Sequence, residues 1–126
     1  MAPSRLLVID DDENVRLLFS RALKLEGYDV GVACSAEEAL SLIGACRPDG
    51  IFLDLKMPYV NGGGFLFRLR EDPASRDIPV AVVTGMTTLD EATVSDLRAL
   101  GAKVWYKPLS IEEIAGVART LLEQKT

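Results

Sequence analysis

Four groups of residues could do chemistry together in this chain: Asp10-Asp11-Asp12, Asp54, Thr84 and Lys107. Each stands at or just past the end of a short apolar run, Leu6–Ile9, Ile51–Leu53, Pro79–Val83 and Val104–Tyr106 respectively. Carboxylates brought together repel one another and call for a cation. Hard oxygen donors suit Mg²⁺, which keeps some of its waters and is often completed by a substrate phosphate. A carboxylate can also act as a nucleophile and take a phosphoryl group as an acyl phosphate. Charge developing on the phosphoryl oxygens then needs a cation and hydrogen-bond donors, and the Lys107 ammonium and the Thr84 hydroxyl are of the right type. Gly85 follows Thr84 and places no bulky side chain in the way.

Taken singly, these residues say little. Three Asp residues after a strand can be a solvated turn and helix cap, a lone Lys is most often a surface charge, and a Thr at a strand end usually bonds to backbone. Only an architecture that gathers them gives the chemical reading weight. The absence of histidine removes Ser-His-Asp and Cys-His catalysis and histidine metal sites, so any phosphohistidine must belong to a partner. A net charge of −5 argues against a nucleic-acid surface. No apolar run is long enough to span a membrane, and Met1–Arg5 has no signal-peptide character, so a cytoplasmic location is expected. Cys34 and Cys46 form no CxxC pair and are expected as two buried free thiols.

The elements that must position the four groups can be read from periodicity. Five apolar runs alternate with five helical patterns across 126 residues, the length of one domain over 1–126. After Leu6–Ile9 comes the stripe Val15, Leu18, Phe19, Ala22, Leu25, closed by Gly27. Tyr28–Ala33 alternates, the mark of an edge strand. Ser35 and Glu38 form a capping box ahead of Ala36, Ala39, Leu40 and Ile43. A loop with Pro58, Asn61 and three glycines leads to a helix around Phe65–Arg70, which Asp72-Pro73 ends. Thr88/Glu91 and Ser110/Glu113 form further boxes, the last with Leu109 and Ile114 as its hydrophobic staple. Asp12 is expected to cap the first helix rather than bind metal.

Strands alternating with helices predict a (βα)5 doubly wound parallel sheet. The continuous apolar runs one, three and four belong in its centre and the alternating second at an edge, an arrangement that the order 2-1-3-4-5 satisfies. Ligands of such sheets bind beyond the carboxyl ends of the strands at the switch point, and the four groups stand at those ends.

The set Asp10-Asp11, Asp54, Thr84 and Lys107-Pro108, in the strings LLVIDDDENVR, DLKMPYVNGG, IPVAVVTG and KPLS, resembles the receiver domains of two-component response regulators. The resemblance covers essentially the whole chain and implies the flavodoxin-like strand order above, which chemotaxis receivers share. It implies that Asp54 is the phosphoacceptor. By the same resemblance Asp11 binds Mg²⁺ directly, Asp10 holds a metal-bound water, and the Lys56 backbone carbonyl completes the protein's ligands. Thr84 and Lys107 then bind the phosphoryl group, and the Lys107–Pro108 peptide is cis. Receivers usually carry Tyr or Phe where this chain has Val104, and Trp105 is the candidate to replace that switch aromatic. Lys56 and Met86, each two residues past a site residue, are expected to influence the phosphoryl lifetime.

The implied donor is a sensor histidine kinase or a histidine-containing phosphotransfer protein. The implied recipient of the signal is a downstream protein or an output domain. A homodimer through the fourth helix, fifth strand and fifth helix is compatible with the resemblance. Such a chain catalyses its own phosphorylation and dephosphorylation and is not a conventional turnover enzyme. No output domain follows Thr126, so it is either a stand-alone receiver or one cut from a longer regulator. Three rivals are weighed beside this: a D-x-D phosphatase using Asp10 and Asp12, a receiver-like module never phosphorylated, and a flavodoxin-type cofactor binder. The first leaves Asp54 unexplained, the second would commonly have lost an acid or the lysine, and the third would have to seat phosphate against three acids.

Overall fold

The computed structural model describes residues 3–54, 62–85 and 91–123. Five strands and five helices alternate: β1 Arg5–Ile9, α1 Glu13–Leu25, β2 Asp29–Ala33, α2 Ala36–Ala45, β3 Gly50–Leu53, α3 Gly62–Glu71, β4 Val80–Thr84, α4 Glu91–Ala99, β5 Ala102–Tyr106 and α5 Ile111–Glu123. The strands form one parallel sheet in the order β2-β1-β3-β4-β5. This is the order the apolar pattern predicts, and the reason is visible in burial. Every residue of β3 and β4 is buried, whereas β2 and β5 each bury only one.

Alternate residues of each strand feed two separate cores. On one face Leu7, Ile9, Ile51, Leu53, Val80 and Val82 meet α2, α3 and α4 through Ala39, Phe65, Leu66, Leu69 and Leu97. On the other, Leu6, Val8, Phe52, Ala81 and Val83 meet α1 and α5 through Phe19, Leu23, Ile114, Val117 and Leu121. Phe19 and Phe52 cross edge to face with ring centroids 5.7 Å apart. Burying each such ring contributes about 1.5–3 kcal/mol.

Local sequence explains most of the helix ends. Asp12 caps α1 by accepting from the Asn14 and Val15 amides at 2.8 and 3.4 Å. Gly27 at φ +91° and Gly101 at φ +77° take the left-handed conformations that follow α1 and α4. The Ser110/Glu113 box is fully reciprocal, with bonds of 3.0 and 3.1 Å, and Leu109 and Ile114 lie in the same apolar cluster. In the Ser35/Glu38 box only half the motif forms as expected: Ser35 accepts from the Glu38 amide, but Glu38 reaches back one residue further, to the Cys34 amide. Thr88 of the remaining box lies outside the described residues, as do Pro58 and Asn61.

Three expectations are corrected. Gly62, Gly63 and Gly64 are not loop but the first turn of α3, whose register is set by the buried Phe65, Leu66 and Leu69. β5 begins at Ala102 rather than Val104, because Ala102 pairs with Val80 and is buried against the core. Both cysteines are exposed rather than buried: Cys34 lies just past the edge strand β2, and Cys46 caps the outer end of α2.

The register brings the carboxyl ends of the strands level. Ile9 pairs with both Ala33 and Leu53, Leu53 with Val82, and Thr84 with Tyr106. The residues that follow therefore open on one end of the sheet.

Candidate functional site

Asp10 continues directly from β1, and all four of its polar positions are engaged. Its amide donates to the Ala33 carbonyl at 3.1 Å, which ties it to β2. Its carbonyl accepts from Arg16 Nη1 of α1 at 2.8 Å. Its Oδ1 accepts from the Asp12 amide and its Oδ2 receives Lys107 Nζ, each at 2.9 Å. The residue is 3% exposed. A carboxylate withdrawn from water to that degree requires such compensation.

Asp54 leaves β3 beside it, equally buried, with its amide bonded to the Ile9 carbonyl at 3.1 Å. Lys107 Nζ stands 3.6 Å from Asp54 Oδ2, so one ammonium is shared between two acids. The lysine is placed by its own amide, which donates to the Thr84 carbonyl at 2.8 Å, and the following Lys107–Pro108 peptide is cis. Thr84 ends β4, the strand between those that deliver Asp54 and Lys107, and is fully buried.

Asp11 is exposed at the mouth. Oxygen atoms of Asp10, Asp11 and Asp54 all lie within 4.8 Å of one another, close enough to share one cation. The donors are carboxylates only, the chemistry that suits Mg²⁺ rather than a thiolate- or imidazole-seeking metal. Among the described residues, Lys107 is the cation that ion-pairs with this cluster, through Asp10 and Asp54, and an all-carboxylate donor set of this kind fits a divalent cation.

Of the residues singled out by sequence, Asp10, Asp11, Asp54 and Lys107 are thus gathered, with Thr84 on the adjoining strand end. Lys56 and Met86 lie outside the described residues. Trp105 is not beside Thr84. Strand alternation sends it to the α1/α5 face, where it packs against the cluster of Val8, Phe19 and Val83. Thr84 instead continues the face of Val80 and Val82, and its partner in the register is Tyr106, which follows Val104 on that same face and is 42% exposed.

Sequence reasoning missed Tyr106 in this place and missed Arg16 altogether. Counting by twos along β5 from the buried Ala102 could have found the first. For Arg16 the only signal was its position one helical turn past the Asp12 cap. Asp12 itself is exposed and spends Oδ1 on the α1 amides, so it does not pair with Asp10 as a D-x-D phosphatase would require.

The comparisons with known proteins agree with this geometry. A family model described as "Response regulator receiver domain" matches residues 6–119. The response regulator MprA of Mycolicibacterium vanbaalenii is 37% identical over 124 residues, 98% of this chain and 52% of that protein. The transcriptional regulatory protein PrrA of Mycobacterium leprae is 33% identical over 121 residues, 96% of this chain and 51% of that protein. The chain therefore spans about half the length of these curated relatives. Among solved structures, the Vibrio cholerae chemotaxis protein CheY4 superposes with a TM-score of 0.88 at 28% identity, covering 96% of this chain and 100% of that one. The chain belongs to the response-regulator receiver family, which serves phosphorelay signalling by aspartyl phosphorylation.

Proposed function

We propose that Asp54 is the phosphoacceptor of this receiver and that its donor is a phosphohistidine on a sensor kinase or phosphotransfer protein. The observation that carries this reading is the convergence of Asp54 with Asp10, Asp11 and Lys107 at one strand-end mouth. A carboxylate oxygen of Asp54 attacks phosphorus, the P–N bond to the donor imidazole breaks, and the imidazole, protonated at its other ring nitrogen, leaves with the bonding pair and ends neutral. Asp10, Asp11, Asp54 and the Lys56 carbonyl would hold Mg²⁺, which when bound neutralises the acids and the phosphoryl oxygens. Lys107, already 3.6 Å from Asp54, pairs with the new phosphoryl group, and the Thr84 hydroxyl donates to it.

The output follows from the same strand ends. Thr84 is drawn toward the phosphoryl group, and its register partner Tyr106 lies half exposed on the neighbouring strand. The aromatic role expected of Trp105 falls to Tyr106 on this geometry. With Ile111, 51% exposed at the start of α5, Tyr106 gives the α4–β5–α5 face apolar anchors for a downstream protein, an output domain or a second copy.

Intact mass spectrometry after incubation with Mg²⁺ and acetyl phosphate tests the assignment. One phosphoryl adduct that requires Mg²⁺ and disappears in Asp54→Ala is expected. A folded wild-type protein that takes no adduct beside a working receiver control would favour a module that is never phosphorylated.

A further inference from the structure

Asp11 is the least supported member of the acid cluster. It is exposed, and its side chain makes no hydrogen bond to any described residue. Its direction is therefore set by the backbone on either side. The peptide after it is pinned by the Asp12 amide bonding to Asp10 Oδ1 at 2.9 Å. The peptide before it, the planar unit that joins Asp10 to Asp11, is pinned at its carbonyl by Arg16 Nη1 at 2.8 Å. The Asp12 bond to Asp10 Oδ1 closes a short ring that contains the Asp10 Cα–carbonyl bond and so limits rotation about it. Arg16 adds a side-chain bond to the carbonyl itself and fixes the direction in which it points.

We propose that Arg16 is a positioning residue for the divalent-cation site, aiming Asp11 at Asp10 and Asp54 by clamping the peptide that links the two acids. The proposal rests on the reading that these three acids hold a cation. It goes beyond that reading in giving α1 a part in cation affinity through a residue that is not a ligand.

The sign of the effect separates this role from a simple electrostatic one. Arg16 is a cation beside an acid cluster and repels a second cation. If its charge were all that mattered, removing it would tighten Mg²⁺ binding. If it positions Asp11, removing it weakens binding in spite of the relieved repulsion. Methionine keeps the length and helix propensity of the side chain and loses both charge and donor.

The melting temperature of the whole chain, measured across a Mg²⁺ titration, gives the dissociation constant and, without metal, the stability of the fold. Wild type is expected to gain stability with Mg²⁺. Arg16→Met should melt a few degrees lower without metal and bind Mg²⁺ about fivefold more weakly, the loss of one charge-assisted hydrogen bond. Arg16→Lys, which keeps a charged donor, should bind at least about twofold more tightly than Arg16→Met. Should Arg16→Met fail to fold, Arg16→Leu, which also lacks charge and donor, takes its place with the same expected outcome. Binding in the neutral variant as tight as wild type, or tighter, overturns the positioning role. A folded wild type whose melting temperature ignores Mg²⁺ removes the cation site and, with it, the proposal.

Discussion

At the mouth of the site the Lys107 ammonium lies 2.9 Å from Asp10 and 3.6 Å from Asp54, while Asp11 pairs with no cation among the described residues. Two unit charges a few ångströms apart near a wet surface repel by about 1 kcal/mol, and salt screens part of that. Asp11→Asn is therefore expected to raise the metal-free melting temperature by about 2–4 °C in low salt. The same variant should lose most of the Mg²⁺-dependent rise. A lower metal-free melting temperature, or an undiminished response to Mg²⁺, would contradict the shared-site geometry. The acids, Lys107 and the Asp12 cap were legible in sequence because each is fixed by its place next to a strand or helix end. The Arg16 clamp was not, because it depends on how α1 turns back over the peptide after Asp10. Nor was the choice between Trp105 and Tyr106, which turns on where β5 begins.

Helix α3 carries an arrangement at the opposite pole that no periodicity announces. Arg70 Nε donates to the Leu100 carbonyl at 2.7 Å, and its Nη1 donates to the Arg76 and Ile78 carbonyls at 2.9 and 2.6 Å. One guanidinium thus joins the end of α3, the approach to β4 and the turn after α4. Gly101 belongs to the same device, since a Cβ there would come within 3.4 Å of Arg70. Burial lowers the Arg70 pKa from its ordinary value, and the nearby Asp77 acts in the other direction. A base with a lowered folded-state pKa costs stability while charged, and that cost is relieved only as pH rises through the folded value. That window lies far above neutrality, so Arg70 should add no pH dependence between about pH 5 and about pH 9.

Arg70→Met should lower unfolding stability by about 2–3 kcal/mol in urea titrations at neutral pH. A loss under about 0.5 kcal/mol would show the three carbonyls to be equally well served by water. The helices themselves were legible from their stripes and caps. The start of α3 was not, because glycine weakens a helix only where tertiary packing does not decide, and Phe65, Leu66 and Leu69 decide it here.

Across the whole molecule, the two apolar clusters never mix, yet each strand contributes to both through alternate residues. Neither face can then be lost without exposing the other side of the same strands. Urea unfolding followed by backbone circular dichroism and by fluorescence of Trp105, the sole tryptophan, should give one coincident transition. Separate midpoints would mean that the α1/α5 face opens on its own. The strand order was legible because burial on both faces writes itself as an unbroken apolar run, and burial at an edge does not. The exposure of the thiols was not legible, since cysteine is apolar enough to suit either place. Their positions bracket α2, with Cys34 before its cap Ser35 and Cys46 at its far end. A helix of 10 residues rises about 15 Å, more than twice the span a disulfide tolerates between Cα atoms. With α2 intact the two thiols cannot bridge to each other, so any disulfide that either forms must be with a thiol of another partner.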